Sequence, residues 1–118
     1  MILFADADGS CPLLDWLDDR RQVSARARDK CIVRIERLAE RGHELRRPDA
    51  DYLRDEIYEL RARLGHVNYR LLYFFHDRGA VVTHGFTKER QVPEREIALA
   101  IARMKLFQRD PDKHTYSE

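Results

Sequence analysis

Between residues 57 and 88 the chain places several groups that could handle a phosphate at alternating positions. Glu59 and Arg61 fall on one face of a first strand pattern, with Tyr58 and Leu60 on the other. Arg70 shares a face with Leu72 and Phe74 on a second pattern, and His84, Phe86 and Lys88 share one on a third. Arginine and lysine stay charged at neutral pH, and arginine can grip an oxyanion through two donors. A surface built from Arg61, Arg70, Lys88, an imidazole and an aromatic ring would suit a bound phosphate beside a stacked base. Each residue also has a plainer reading. Arg61 and Arg70 could pair with Glu59 or Glu56, Lys88 and Arg90 could be turn charges, and His84 could be a partly buried imidazole.

Other chemistries find less support. His43, His66, His76, His84 and His114 lie on separate elements, without the close spacing of zinc ligands, so no metal and no cofactor are expected. No GxxxxGK or GxGxxG loop is present, and Ser10, Ser24 and Ser117 lack the contexts of serine nucleophiles. Cys11 and Cys31 each fall in an apolar helical pattern and read as small buried hydrophobes rather than a disulfide.

These residues need elements to hold them. Residues 1–4 read as an opening strand, followed by a turn at Asp6-Ala7-Asp8-Gly9. Ser10 can cap a short helix with Pro12 in its first turn, and Leu13, Leu14, Trp16 and Leu17 give it an apolar side. Ser24 can cap a longer helix with Ala27, Cys31, Ile35 and Leu38 on one face, ended by Gly42. The two helices read as an antiparallel hairpin. The stretch HELRRPDAD, with Pro48 among aspartates, reads as a loop. Strands at residues 57–61, 68–76 and 80–86 then form an antiparallel meander, with Asp77-Arg78-Gly79 as a hairpin turn. Pro93 opens a last helix striped by Ile97, Ala100, Ile101 and Met104, and the polar tail 108–118 reads as loose. The expected fold is a single α+β domain over residues 1–118: a two-helix N-terminal hairpin packed on a small antiparallel sheet, with a C-terminal helix.

With 118 residues, 36% of them charged and 43% hydrophobic, one globular domain is the simplest organisation. No apolar run approaches the roughly 20 residues of a membrane span, and MILFADADG lacks the pattern of a signal peptide. A cytoplasmic protein with no membrane partner is expected. The net charge of +1 conceals a segregation: residues 1–19 hold five Asp and no cation, whereas residues 20–47 hold ten Lys or Arg against four acids. Such a basic stretch could face nucleic acid phosphate or simply form a solvated helix face.

The run YELRARLGHVNYRLLYFFHDRGAVVTHGFTKERQVPEREIALAIAR resembles the RelE superfamily of bacterial toxins, most closely its phage-derived HigB-like branch. The elements that carry the resemblance are Tyr58 to Arg61, Tyr69 to Tyr73, His84 to Lys88, and Pro93 onward to Arg103. The resemblance implies a toxin that cuts messenger RNA in the ribosomal A site and is held inactive by a helix-turn-helix antitoxin, with operator DNA reached only through the antitoxin complex. It implies attack by the RNA 2′-OH on the adjacent phosphate, with no cofactor. By the same resemblance Arg61, Arg70 and Lys88 would be catalytic, Tyr73, Phe86 and Arg90 would contact RNA, and Glu59 or His84 would be the general base. An alternative is an inactive protein of the same fold that acts only with its antitoxin in transcriptional autoregulation. The chain departs from the branch in two places. Lys88-Glu89 stands where a lysine pair is usual, and no aromatic residue opens the last helix, so that Tyr116 could replace it only if the tail folds back.

Overall fold

A computed structural model describes residues 1–77, 79–87 and 91–117. The elements in order are β1 (Ile2–Leu3), α1 (Pro12–Leu17), α2 (Ala25–Arg41), β2 (Ala50–Arg54), β3 (Ile57–Leu64), β4 (Val67–His76), β5 (Gly79–Thr87) and α3 (Glu94–Arg109), with a short 3-10 turn at Gly42–Glu44. The domain is α+β. Its sheet has five strands in the order β1-β5-β4-β3-β2, and β1 pairs parallel with β5 while the other neighbours are antiparallel.

Local chemistry explains most element boundaries. The Ser24 hydroxyl accepts from the Ala27 N–H at 3.1 Å, satisfying a donor that the first turn of α2 leaves unpaired. At the other end Gly42 adopts φ +54°, a conformation that costs glycine little. Ser10 does not cap α1: Cys11 holds that position without a side-chain bond, and the Ser10 hydroxyl donates to Asp8 at 2.7 Å instead.

The sheet is covered on both faces. Alternation along β3 and β4 sends Leu60, Ala62, Leu71 and Tyr73 toward α1 and α2, where they pack with Leu13, Trp16, Ala27, Cys31 and Leu38. The opposite face gives Ile57, Leu72, Phe74, Val81 and Phe86 to a second core under α3, with Ala100, Met104 and Phe107. The expected arrangement is therefore corrected. α1 lies on β5 and α2 on β3, and α3 closes the face that the sequence left open.

Two further differences bear on function. β2 begins at the end of the stretch read as a loop, at Ala50 and Asp51, and runs on through residues given no element to a turn of Asp55 and Glu56, both at positive φ (51° and 70°), that joins it to β3. A two-residue hairpin turn of this kind normally announces itself as Asn-Gly or Asp-Gly. The tail read as loose folds back on β1. Phe4 bridges to Thr115, the Tyr116 N–H donates to the Leu3 carbonyl at 2.9 Å, and buried His114 stacks on Phe4.

Gly85 is required for space rather than for backbone freedom, since a Cβ there would overlap the six-membered ring of Trp16. Gly85→Ala should lower the free energy of unfolding by about 1–3 kcal/mol. Urea denaturation reads this directly, and an unchanged midpoint would mean that Trp16 can shift aside at no cost.

Candidate functional site

Arg61 and Arg70 stand directly opposite each other on β3 and β4, on the face toward α3. Two guanidiniums facing each other across a ladder repel unless an anion intervenes. Glu59, 1% exposed, supplies it. One carboxylate oxygen accepts from Arg61 Nε at 2.6 Å and also meets Arg61 Nη2, while the other accepts from Arg70 Nη1 at 2.6 Å. Asp51, opposite Glu59 on β2, lies 3.4 Å from Arg61 Nη2 and accepts from Arg47 at 2.8 Å. The Arg47 bond is the largest influence holding the Asp51 carboxyl below its usual pKa.

This cluster forms the floor of an open groove of about 480 Å³ between β2, β3 and the approach to α3. Gln91, Val92 and Ile97 line the α3 side, and Arg54 Nε donates to Glu94 at 2.9 Å, joining β2 to the start of α3. The described lining holds three arginines (Arg54, Arg61, Arg70) and three carboxylates (Asp51, Glu59, Glu94). An anion entering the groove would compete with these carboxylates for the arginines.

The structure brings together Glu59, Arg61 and Arg70 of the residues picked from the sequence. The others that are described sit elsewhere. Tyr73 is 1% exposed on the opposite face of the sheet, stacked with Tyr58 at 5.4 Å, and burial pushes its hydroxyl pKa up, so the proposed contact with RNA does not fit its position. Phe86 faces α3 and is packed in the second core, which leaves its ring face no room for a base. Lys88 and Arg90 lie outside the described residues. Tyr116 folds back, but onto the core beneath α1 and α2, away from the groove.

His84 shares the face of Glu59 but is 5% exposed and does not line the groove. Its Nδ1 lies 2.9 Å from Thr83 Oγ1 and its Nε2 lies 3.2 Å from Glu96. A neutral imidazole with its proton on Nε2 donates to Glu96, and the single Thr83 hydroxyl hydrogen then lies between His84 Nδ1 and the Leu72 carbonyl, 3.2 Å away. Burial, with a smaller contribution from Arg103, lowers its pKa to about 4. Of the two general-base candidates, only Glu59 faces the groove. Asp51 was missed because it closes the stretch read as a loop, and Tyr52 and Arg54 because the residues after it were assigned no strand. The alternation of Asp51 and Leu53 against Tyr52 is too short a signal without a recognised turn behind it.

The fold and the groove define a small α+β protein with an arginine–carboxylate cluster on one face of a mixed sheet. Residues 16–105 match the family described as Phage derived protein Gp49-like (DUF891), and the chain belongs to that family. No curated protein matches the chain. Among the described residues, no helix is long and apolar enough to cross a membrane.

Because His84 stays neutral in the folded protein down to about pH 4, the unfolded chain takes up a proton there that the folded one does not. Stability therefore falls as pH drops from about 6.5 toward 4, by roughly 2 kcal/mol from this residue between pH 7 and pH 5. Denaturation curves at the two pH values should show that loss in the wild type and a flatter dependence in His84→Gln. Equal slopes would remove His84 as the cause.

Proposed function

We propose that this protein is the toxin of a type II toxin–antitoxin pair, a ribosome-dependent endoribonuclease of RelE type that cuts messenger RNA by 2′-OH attack on the adjacent phosphate. The observation that carries the reading is the meeting of Arg61 and Arg70 at the buried Glu59 carboxylate on the floor of an open groove. The reaction passes through a crowded anionic phosphorane, which needs fixed cations more than it needs a well-tuned base. An incoming phosphodiester would take the place of Glu59 on one or both guanidiniums. The released carboxylate would then lie beside the bound nucleotide, placed to accept the 2′-OH proton. Lys88, from the resemblance, would serve the phosphate or the leaving oxygen. If the ribosome aligns the message, that alignment supplies a large part of the rate, and modest acid–base groups suffice. The partners of this reading are the ribosome, messenger RNA and a helix-turn-helix antitoxin that keeps the protein silent.

A second reading is favoured by the pairing itself. Three arginines matched by three carboxylates can also be a structural network in an inactive protein that only binds its antitoxin and represses transcription with it. Induced expression followed by mapping of RNA 5′ ends separates the two. The wild type should arrest growth and leave new 5′ ends within translated messages. Arg70→Ala should lower cleavage by roughly a hundredfold while the protein stays folded. Wild-type expression that leaves growth and messages intact, together with tight antitoxin binding by both proteins, would select the inactive reading.

A further inference from the structure

On the other side of β2 from the arginine cluster lies a second hollow. His43, Tyr52 and Tyr58 line two adjoining cavities of about 550 and 440 Å³, the first bounded also by Arg46 and Arg47, the second by Phe75 and Glu56. The rings form a connected set. Tyr52 meets Tyr58 edge-on at 5.0 Å, Tyr58 meets Phe75 edge-on at 5.1 Å, and His43 stacks on Phe75. Such a set would normally be buried, yet Tyr52 is 52% exposed.

Tyr52 is exposed but held. Its hydroxyl accepts from the Glu56 N–H at 3.2 Å, across the hairpin turn whose two residues both have positive φ. The edge contact with Tyr58 fixes the other side of the ring. A rigid, half-exposed aromatic face loses little entropy when another ring is laid on it. Arg46 and Arg47 line the first cavity, where Asp51 accepts from Arg47 at 2.8 Å, and Glu56 lines the second, so the cations are gathered in one of the two. A ligand with a flat ring and an attached anion fits this layout with its ring toward Tyr52 and its anion toward the arginines.

We infer that this hollow is a stacking subsite for one base of a single-stranded RNA, with the neighbouring phosphate held by Arg46 and Arg47. The inference rests on the proposed endoribonuclease reading for its choice of RNA. Its place in the fold supports that choice, since Asp51 and Tyr52 line both this hollow and the groove of the arginine cluster. β2 is the terminal strand of the sheet, so a strand of RNA can pass over its open edge from one cavity to the other. The base bound at Tyr52 is then a near neighbour of the nucleotide at Arg61 and Arg70. It would contribute affinity and register, not chemistry.

The test uses a fluorescent 2′-O-methyl oligoribonucleotide, which binds without being cut, and copies with a single abasic position moved along the strand. With the full-length protein, one abasic position should weaken binding roughly tenfold. In Tyr52→Ala the intact strand should bind about as weakly as that abasic strand, and the abasic position should then cost nothing further. Tyr52→Phe, which keeps the ring, should bind nearly as the wild type does. Photocrosslinking with 5-iodouridine at the sensitive position should attach RNA to Tyr52. The inference is overturned if Tyr52→Ala binds as the wild type does, if the abasic and Tyr52 effects simply add, or if the loss in Tyr52→Ala is of antitoxin and not of RNA. Because no cleavage is read, the coupling can persist in a protein that never cuts RNA. That result would remove the proposed activity and leave the subsite standing.

Discussion

Arg61 and Arg70 are direct cross-strand neighbours, and Glu59 is the anion that makes the arrangement tolerable. Taking one guanidinium away leaves the carboxylate with its other partner. Taking the carboxylate away removes the anion that bridges the two cations on the groove floor and leaves Arg61 with Asp51. The rest of the site is arranged around that triplet. β2 adds Asp51 and, through it, Arg47. The bond from Arg54 to Glu94 ties the far end of β2 to the start of α3.

The division of the sheet into two differently covered faces follows from the same constraint. The face toward α1 and α2 is apolar along β3 to β5 and supports the larger core. The face toward α3 is apolar where the helix lies on it and ionic where the groove opens. His84 falls on the covered part, where burial holds it neutral, and Glu59 falls at the boundary, where it is out of solvent yet lines the groove.

Sequence patterns carried part of this. Alternation along residues 57–61 and 68–76 assigned Glu59, Arg61 and Arg70 to their faces correctly, because side-chain direction in a strand depends only on the backbone period. It could not say what would cover that face. Phe86 shares the face of His84 as expected, but α3 buries it. Tyr73 went wrong for a related reason: a motif marks a residue, whereas its burial depends on helices far away in the chain. β2 was hidden by a hairpin turn of Asp55 and Glu56 that takes positive φ at both residues without the usual glycine. The tail was hidden because its anchors are backbone hydrogen bonds, one histidine ring and the lone aromatic Tyr116, which form no apolar pattern in a polar stretch.

In the proposed reading the Glu59-bridged arginines receive a phosphodiester and do not merely brace the sheet. The most direct measurement follows the Nε–Hε resonances of Arg61 and Arg70 and the Glu59 carboxyl carbon by NMR while a 2′-O-methyl oligoribonucleotide is added. The account predicts that all three shift together and saturate with one affinity as phosphate replaces carboxylate on the guanidiniums. Signals that stay fixed while the oligonucleotide binds would contradict it.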